Sequence, residues 1–279
     1  MKSISPKTSV QIKKYLESII QGAINKYKDR SIQKPSSALE YLTRTSSEGD
    51  LKPFQAAIVP PEVIRINQFE RGLSTRLGNS IEECARLIAL EHHQEVHRAR
   101  DITGTVSCAA WNEIVRQKKR YESASQKKQP KPSLDDMIEA VLNARHSDDL
   151  EINKERVDLS VLTHDGIEYL FEIKTPKPNK GQCLGVIEQI LRFHLLRGVS
   201  RPQVQAYCAM PYNPYGSQKV DYKWSCALKY MPFQDAVVIG NNFWKIIGGD
   251  TTYEELLAIY LEVGQEKSKD ILDALALEF

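Results

Sequence analysis

Apolar residues recur at three- and four-residue spacing from Val10 through Ile12, Tyr15, Leu16, Ile19, Ile20, Ala23 and Ile24 to Tyr27, a single stripe that predicts an N-terminal helix. Its end is expected near Asp29 to Lys34, because Pro35 forbids simple continuation. The polar stretch Thr43 to Lys52, followed by Pro53, Pro60 and Pro61, reads as loops around a short Ala56 to Val59 segment. From Phe69 to Arg100 the pattern is helical again, with Leu77, Ile81, Cys84, Ala85 and Ile88 on one face, Ser80 as N-cap and Glu83 closing a capping box. Between Arg116 and Pro132 the periodicity is lost among Arg116, Lys118, Lys119, Arg120, Lys127, Lys128 and Lys131, and a mobile surface loop is expected. Ser133 then caps a helix over Leu134 to Asn143.

Strands are expected at about Arg156 to Thr163, Ile167 to Thr175 and Gln203 to Ala209, with a helix from about Leu184 to Leu196 between the last two. Strand-like runs at Tyr222 to Tyr230 and Ala236 to Ile239 precede a helical region after Thr251. This order predicts an α/β fold, a mixed central sheet flanked by helices with helical additions at both ends. Three regions follow: helical 1–66, a core at 67–250 and helical 251–279.

With 41% hydrophobic and 27% charged residues, the 279-residue chain lies near the average for soluble globular proteins, which excludes disordered and collagen-like classes. No stretch approaches the roughly 20 apolar residues of a membrane span, and Met1 to Val10 lacks the apolar centre of a signal peptide, so a cytoplasmic protein without membrane contact is expected. The net charge of +2 neither demands nor excludes a polyanionic partner, since DNA binding needs a local basic surface. Five scattered cysteines without a CxxC pair read as reduced thiols.

The chemistry concentrates between Arg156 and Lys174. His164, Asp165 and Gly166 read as the loop of a β-hairpin, with glycine at the left-handed position. Centring the turn on Asp165 sets Asp158 opposite Glu172, each seven residues away. One face then carries Val157, Leu159 and Val161 against Ile173, Phe171 and Tyr169, apolar throughout and expected on the core. The other carries Asp158, Ser160, Glu172 and Lys174. Carboxylates so opposed, with Cβ atoms about 4.5–5.5 Å apart, destabilise a sheet. A cation turns that penalty into a ligand pair, and hard oxygen donors suit Mg²⁺ better than zinc. Acid-x-Lys also occurs at Asp50 to Lys52 and Asp221 to Lys223, but only Glu172 to Lys174 has an acid in register across a hairpin.

At Asp158 and Glu172-Ile173-Lys174 the sequence resembles the PD-(D/E)XK nuclease superfamily, with Val157 where the signature has proline. A narrower resemblance, carried by Phe69 to Arg71, Ser74, Thr75, Leu77 to Asn79, Glu82, Glu83, Glu172 to Lys180, Phe243 and Trp244, is to the TdeIII-type restriction endonucleases. These resemblances imply a homodimeric type II enzyme that hydrolyses double-stranded DNA at GGNCC or a close variant. Mg²⁺, or Mn²⁺ in its place, is held by Asp158, Glu172, the Ile173 carbonyl and a helix acid, Glu82 or Glu83, of which Glu82 is preferred because it flanks the buried stripe. They also imply a cognate methyltransferase in the same system that is not a stable partner. A repair nuclease or junction resolvase with the same site, or a DNA-binding module without catalysis, are the alternatives.

Beyond Lys174, two prolines stiffen a loop that carries Lys177, Asn179 and Lys180, placing cations where a DNA backbone runs. Lys118, Lys119 and Arg120 form a second candidate contact. His92, His93 and His97 invite a zinc reading, but no ligand pairs with closed-site spacing accompany them. Tyr212 to Gly216 and Trp224 read as turn and core aromatics rather than base-stacking groups.

Overall fold

A computed structural model describes residues 2–27, 36–47, 49, 51–146, 149–198 and 203–275. The expected end of the first helix at Asp29 to Lys34, and Asp50, lie outside the described residues. The chain divides into two compact units, one of Met1–Thr8 with Ile81–Leu256, the other of Ser9–Ser80 with Leu257–Phe279.

The second unit is built from α1 (Pro6–Tyr27), the short α2 (Ala38–Thr43) and α3 (Pro53–Ile58), most of α4 (Pro61–Ala89) and a C-terminal helix, Thr252–Ala274. Tyr27 meets Phe69 edge-on at 5.9 Å. The bare backbone of Gly72 makes room for the Tyr27 ring, since a Cβ there would come within 2.6 Å of its hydroxyl. Helix α4 runs through Ser80 without a break, so Ser80 is no N-cap: it is fully buried, and its hydroxyl donates to the Leu77 carbonyl at 2.7 Å.

In the first unit the remaining order is β1 (Glu95–Ser107), α5 (Cys108–Lys127), α6 (Leu134–Asn143), β2 (Leu150–Leu162), β3 (Ile167–Ile173), α7 (Lys180–Arg197), β4 (Gln203–Met210), α8 (Ser225–Tyr230), α9 (Phe233–Ala236), β5 (Val237–Ile239) and α10 (Asn241–Gly248), before the C-terminal helix, α11. The sheet runs β1-β2-β3-β4-β5, antiparallel from β1 to β3 and parallel from β3 to β5. This is the mixed sheet flanked by helices that the pattern predicted. On one side Ile102, Val106, Val157, Leu170 and Cys208 share a core with Ile114 of α5, Met137 of α6 and Ile187 and Ile190 of α7. On the other, Phe171 meets Phe243 of α10 edge-on at 5.4 Å.

Three expectations are corrected here. Glu95 to Arg100 is strand, not helix, because the buried residues Val96, Ile102 and Val106 lie among exposed charged residues that hide the two-residue period. Most of the expected basic loop is helix α5, whose buried stripe includes Glu113, Gln117 and Ser125 beside Ile114 and Tyr121 and so lacks an apolar signature. Ser225–Tyr230 is helix, with Ala227 and Met231 buried one turn apart, a case where a short apolar run does not separate strand from helix.

Helix α7 is tied to the sheet at its C-terminal end, to β1 and to β3. Gly104 lets the end of α7 come close to β1, since a Cβ there would stand 2.5 Å from the Leu196 carbonyl oxygen. Arg197 donates two hydrogen bonds of 2.7 Å to Glu168 of β3, which is only 5% exposed. Removing one partner of such a pair strands a buried charge. Arg197→Met should therefore lower the unfolding free energy in urea by about 3 kcal/mol, and adding Glu168→Leu should recover much of the loss. A double variant no more stable than Arg197→Met would show that the stranded carboxylate is not the cause.

Candidate active site

The hairpin is set by its turn. Gly166, at φ 86°, donates its N–H to the Thr163 carbonyl at 3.1 Å, and Thr163 donates to Ile167 at 2.9 Å. Pairing proceeds symmetrically about Asp165, from Leu162 with Glu168 to Leu159 with Phe171. The pairing ends there, and the same register continued by one step would set Asp158 opposite Glu172.

At that step the ladder gives way to a side chain. Asp158 Oδ2 accepts the Ile173 N–H at 2.7 Å, so the first acid is docked on the main chain beside the second. On its other edge β3 stays paired: Lys174 donates its N–H to the Ala209 carbonyl at 2.9 Å. The expected uniform apolar face does not survive this junction. Val157 belongs to the core under α5, α6 and α7, while Leu159, equally buried, pairs with Phe171 on the α10 side.

Glu172 is 4% exposed, and its carboxylate is ion-paired with the Lys174 ammonium. Burial, and then the charge of Asp158, push its pKa up, against the opposing pull of Lys174 and of the nearby Gln189 side chain of α7. Burial alone would lower the Lys174 pKa, but the hydrogen bond and charge of Glu172, joined by Asp158, outweigh it, and the net shift is upward. Lys174 is accordingly held as an ammonium. Two acids with one ammonium leave a net negative site of hard oxygen donors, which fits a small divalent cation. Among the described residues no three His, Cys, Asp or Glu side chains are gathered as a metal-binding group. Cys208, paired across β4 with Glu172, is fully buried, and its thiol is pushed far up by that burial, so it stays neutral.

Glu82 hydrogen-bonds Arg98 at 2.8 Å, and Glu83 binds Arg86 through both oxygens. His92 and His93 bring Nε2 to the backbone carbonyl oxygens of Ser3 and Ile246, at 2.6 and 2.9 Å. Burial lowers the His93 pKa, which keeps it neutral. Asp221 closes a turn by accepting the Gln218 N–H at 2.9 Å.

The loop after Lys174 rests on aromatic side chains. The Tyr222 hydroxyl donates to the Pro176 carbonyl at 2.5 Å and the Trp224 indole to the Pro178 carbonyl at 2.8 Å. Lys177 Nζ lies 5.4 Å from the Tyr215 ring centre and 5.8 Å from that of Trp224. Asn179 caps α7, accepting the Gln182 N–H at 3.0 Å while the Gln182 side chain accepts the Asn179 N–H. Lys180 pairs with Glu122 of α5 at 2.5 Å. Lys118 is ion-paired with Glu188, and Lys119 and Arg120 are exposed on α5.

Sequence reasoning missed Gln189, Tyr222 and Trp224 as parts of this site. Gln189 sits on a helix that a local pattern cannot aim at Glu172, and each of the two aromatics meets the loop across 46 residues of chain.

Sheet, flanking helices and paired acids beside a lysine are the architecture of a restriction-endonuclease-like nuclease. Residues 8–264 match the family described as "Type II restriction endonuclease, HinfI". Three relatives from Herpetosiphon aurantiacus are similar over nearly the whole chain. The type II restriction enzyme HgiEI is 43% identical over 98% of this chain and 99% of its own. HgiBI is 42% identical over the same shares, and HgiCII is 43% identical over 96% and 98%. The chain belongs to the HinfI family of type II restriction endonucleases, and its substrate is DNA.

On the expectation that Glu172 ligates a metal ion, a group that orients it is worth about 10- to 100-fold in activity when removed. Gln189→Ala should thus cleave about 10-fold more slowly at saturating DNA, with DNA affinity unchanged. An unaltered single-turnover rate would show that Glu172 needs no such support.

Proposed function

We propose that this enzyme hydrolyses phosphodiester bonds of double-stranded DNA at a short palindromic site, GGNCC or a close variant, with Mg²⁺ as cofactor and Mn²⁺ as its substitute. The observation that carries the reading is the docking of Asp158 on the Ile173 N–H, which brings two carboxylates and Lys174 to one end of the hairpin. Asp158, Glu172 and the Ile173 carbonyl would hold the ion. Glu82, paired with Arg98, joins them only by giving up that partner. A Mg²⁺ ion held by these residues would supply Lewis-acid polarisation of the phosphoryl oxygen and a lowered pKa for a bound water.

Lys174, whose pKa is raised, against burial, by the neighbouring Glu172 and Asp158 carboxylates, is assigned to orient the attacking water and stabilise developing negative charge. Glu172, sunk into the sheet, holds that ammonium in place. The stiff loop presents Lys177 and Lys180, and α5 presents Lys119 and Arg120, to the DNA backbone, with Lys118 and Asn179 bracing the helices behind them. A palindrome offers one half-site twice, which a homodimer matches by its own two-fold axis. The enzyme works in the cytoplasm, where a cognate methyltransferase protects the host sites without binding it stably.

Replacing Asp158, Glu172 or Lys174 by alanine should lower cleavage of a plasmid of known sequence by about 10³-fold, near the loss seen when one preorganised charge-stabilising group is removed. Folding should be kept, and Ca²⁺ should support binding without turnover. Discrete fragments whose ends map to GGNCC support the site; full activity in EDTA, or near-normal cleavage by Glu172→Ala, refutes the mechanism.

If Lys180 contacts a phosphate, Lys180→Ala should weaken specific and non-specific binding alike and reduce the salt slope by about 0.9. A change confined to the specific site would make Lys180 a base-reading residue.

A further inference from the structure

Strand β1 pairs with β2 at every residue from Glu95 to Ser107 except one. The exception is Ala99, which lies between the pairs Arg98 with Leu159 and Arg100 with Val157, and hence across from Asp158. Its φ is 54°, in the left-handed region. Among the described residues the other non-glycine with positive φ is Lys128, which ends α5 as an ordinary left-handed C-cap. Ala99 instead stands within a strand, where an L-residue holds that conformation only against strain from its Cβ.

The break coincides with two other departures. On β2 the side chains change allegiance between Leu159 and Val157, from the α10 side of the sheet to the core under α5, α6 and α7. On the other edge of β2, the β2–β3 ladder stops at Leu159 and the Asp158 carboxylate takes the Ile173 N–H. An unbroken β1–β2 ladder would keep strict alternation, with Val157 beside Leu159 and Asp158 upright on the opposite face. All three departures meet at one residue pair.

We propose that Ala99 is a positioning residue of the active site: its left-handed backbone interrupts β1 opposite Asp158 and lets that carboxylate leave the strand's alternation and dock on β3 beside Glu172. The side chain of Ala99 contributes nothing to chemistry; its φ does. The inference rests on the reading of Asp158 as a ligand of the active site. It also accounts for a small residue here, since β-branched side chains are the least tolerant of this conformation and asparagine among the most.

Asparagine and leucine are close in size but differ in their tolerance of positive φ, so the pair separates conformation from bulk. Single-turnover cleavage at saturating enzyme should stay within about 3-fold of wild type for Ala99→Asn and Ala99→Gly, and fall at least 30-fold for Ala99→Leu. DNA affinity in Ca²⁺ should be the same for all three, which a general loss of structure would not leave intact. Ala99→Gly, freed of the Cβ, should melt no lower than wild type. Equal rates for the asparagine and leucine variants overturn the proposal, as does a lower melting temperature for Ala99→Gly, a measurement that stands even if Ala99→Leu fails to fold. Asp158→Asn is the control: its full activity would overturn the reading of the site and this inference with it. An inactive Asp158→Asn with an active Ala99→Leu overturns the inference alone.

Discussion

Asp158 and Glu172 are brought together by the register of a hairpin, and carboxylates placed so repel. Everything around them manages that repulsion. Asp158 spends one oxygen on the Ile173 N–H, a charge-assisted hydrogen bond that fixes its place at the hairpin's end. Glu172 is enclosed and meets the Lys174 ammonium and the Gln189 amide. A buried acid and a half-buried one held side by side carry a repulsion that a bound cation would relieve, which is the physical basis for proposing a metal there.

The surroundings are correspondingly rigid. Helix α7 brings Gln189 to Glu172, is capped by Asn179 and Gln182 at its start, and is fastened by the Glu168–Arg197 pair at its end. The loop between β3 and α7 has its carbonyls bound by Tyr222 and Trp224, so the lysine after the second acid and the cations beyond it hang from main chain held on both sides. Strand β1 gives up regular pairing at Ala99, next to the first acid. Order and strain lie within a few residues of one another, as expected where geometry has to be held against an unfavourable charge arrangement.

Much of this was readable locally. Gly166 and a three-residue turn dictate a register, and the register alone sets Asp158 against Glu172 and Lys174 just beyond. The proline-stiffened loop, the α6 cap at Ser133 and the C-terminal helix are likewise properties of neighbouring residues. The basic residues of α5 were not readable as a helix, because Glu113, Gln117 and Ser125 share its buried stripe with Ile114 and Tyr121.

The amino-acid order by itself determined the hairpin, its paired acids and the mixed α/β arrangement, because turn chemistry and side-chain period act over a few residues. Only the tertiary structure decided that β1 exists and stands beside β2, that Val157 changes sides, that Gln189 supports Glu172, and that Lys118 and Lys180 are already paired with Glu188 and Glu122. Each of those depends on groups far apart along the chain meeting in space, and a polar residue's partner there is set by what folds against it.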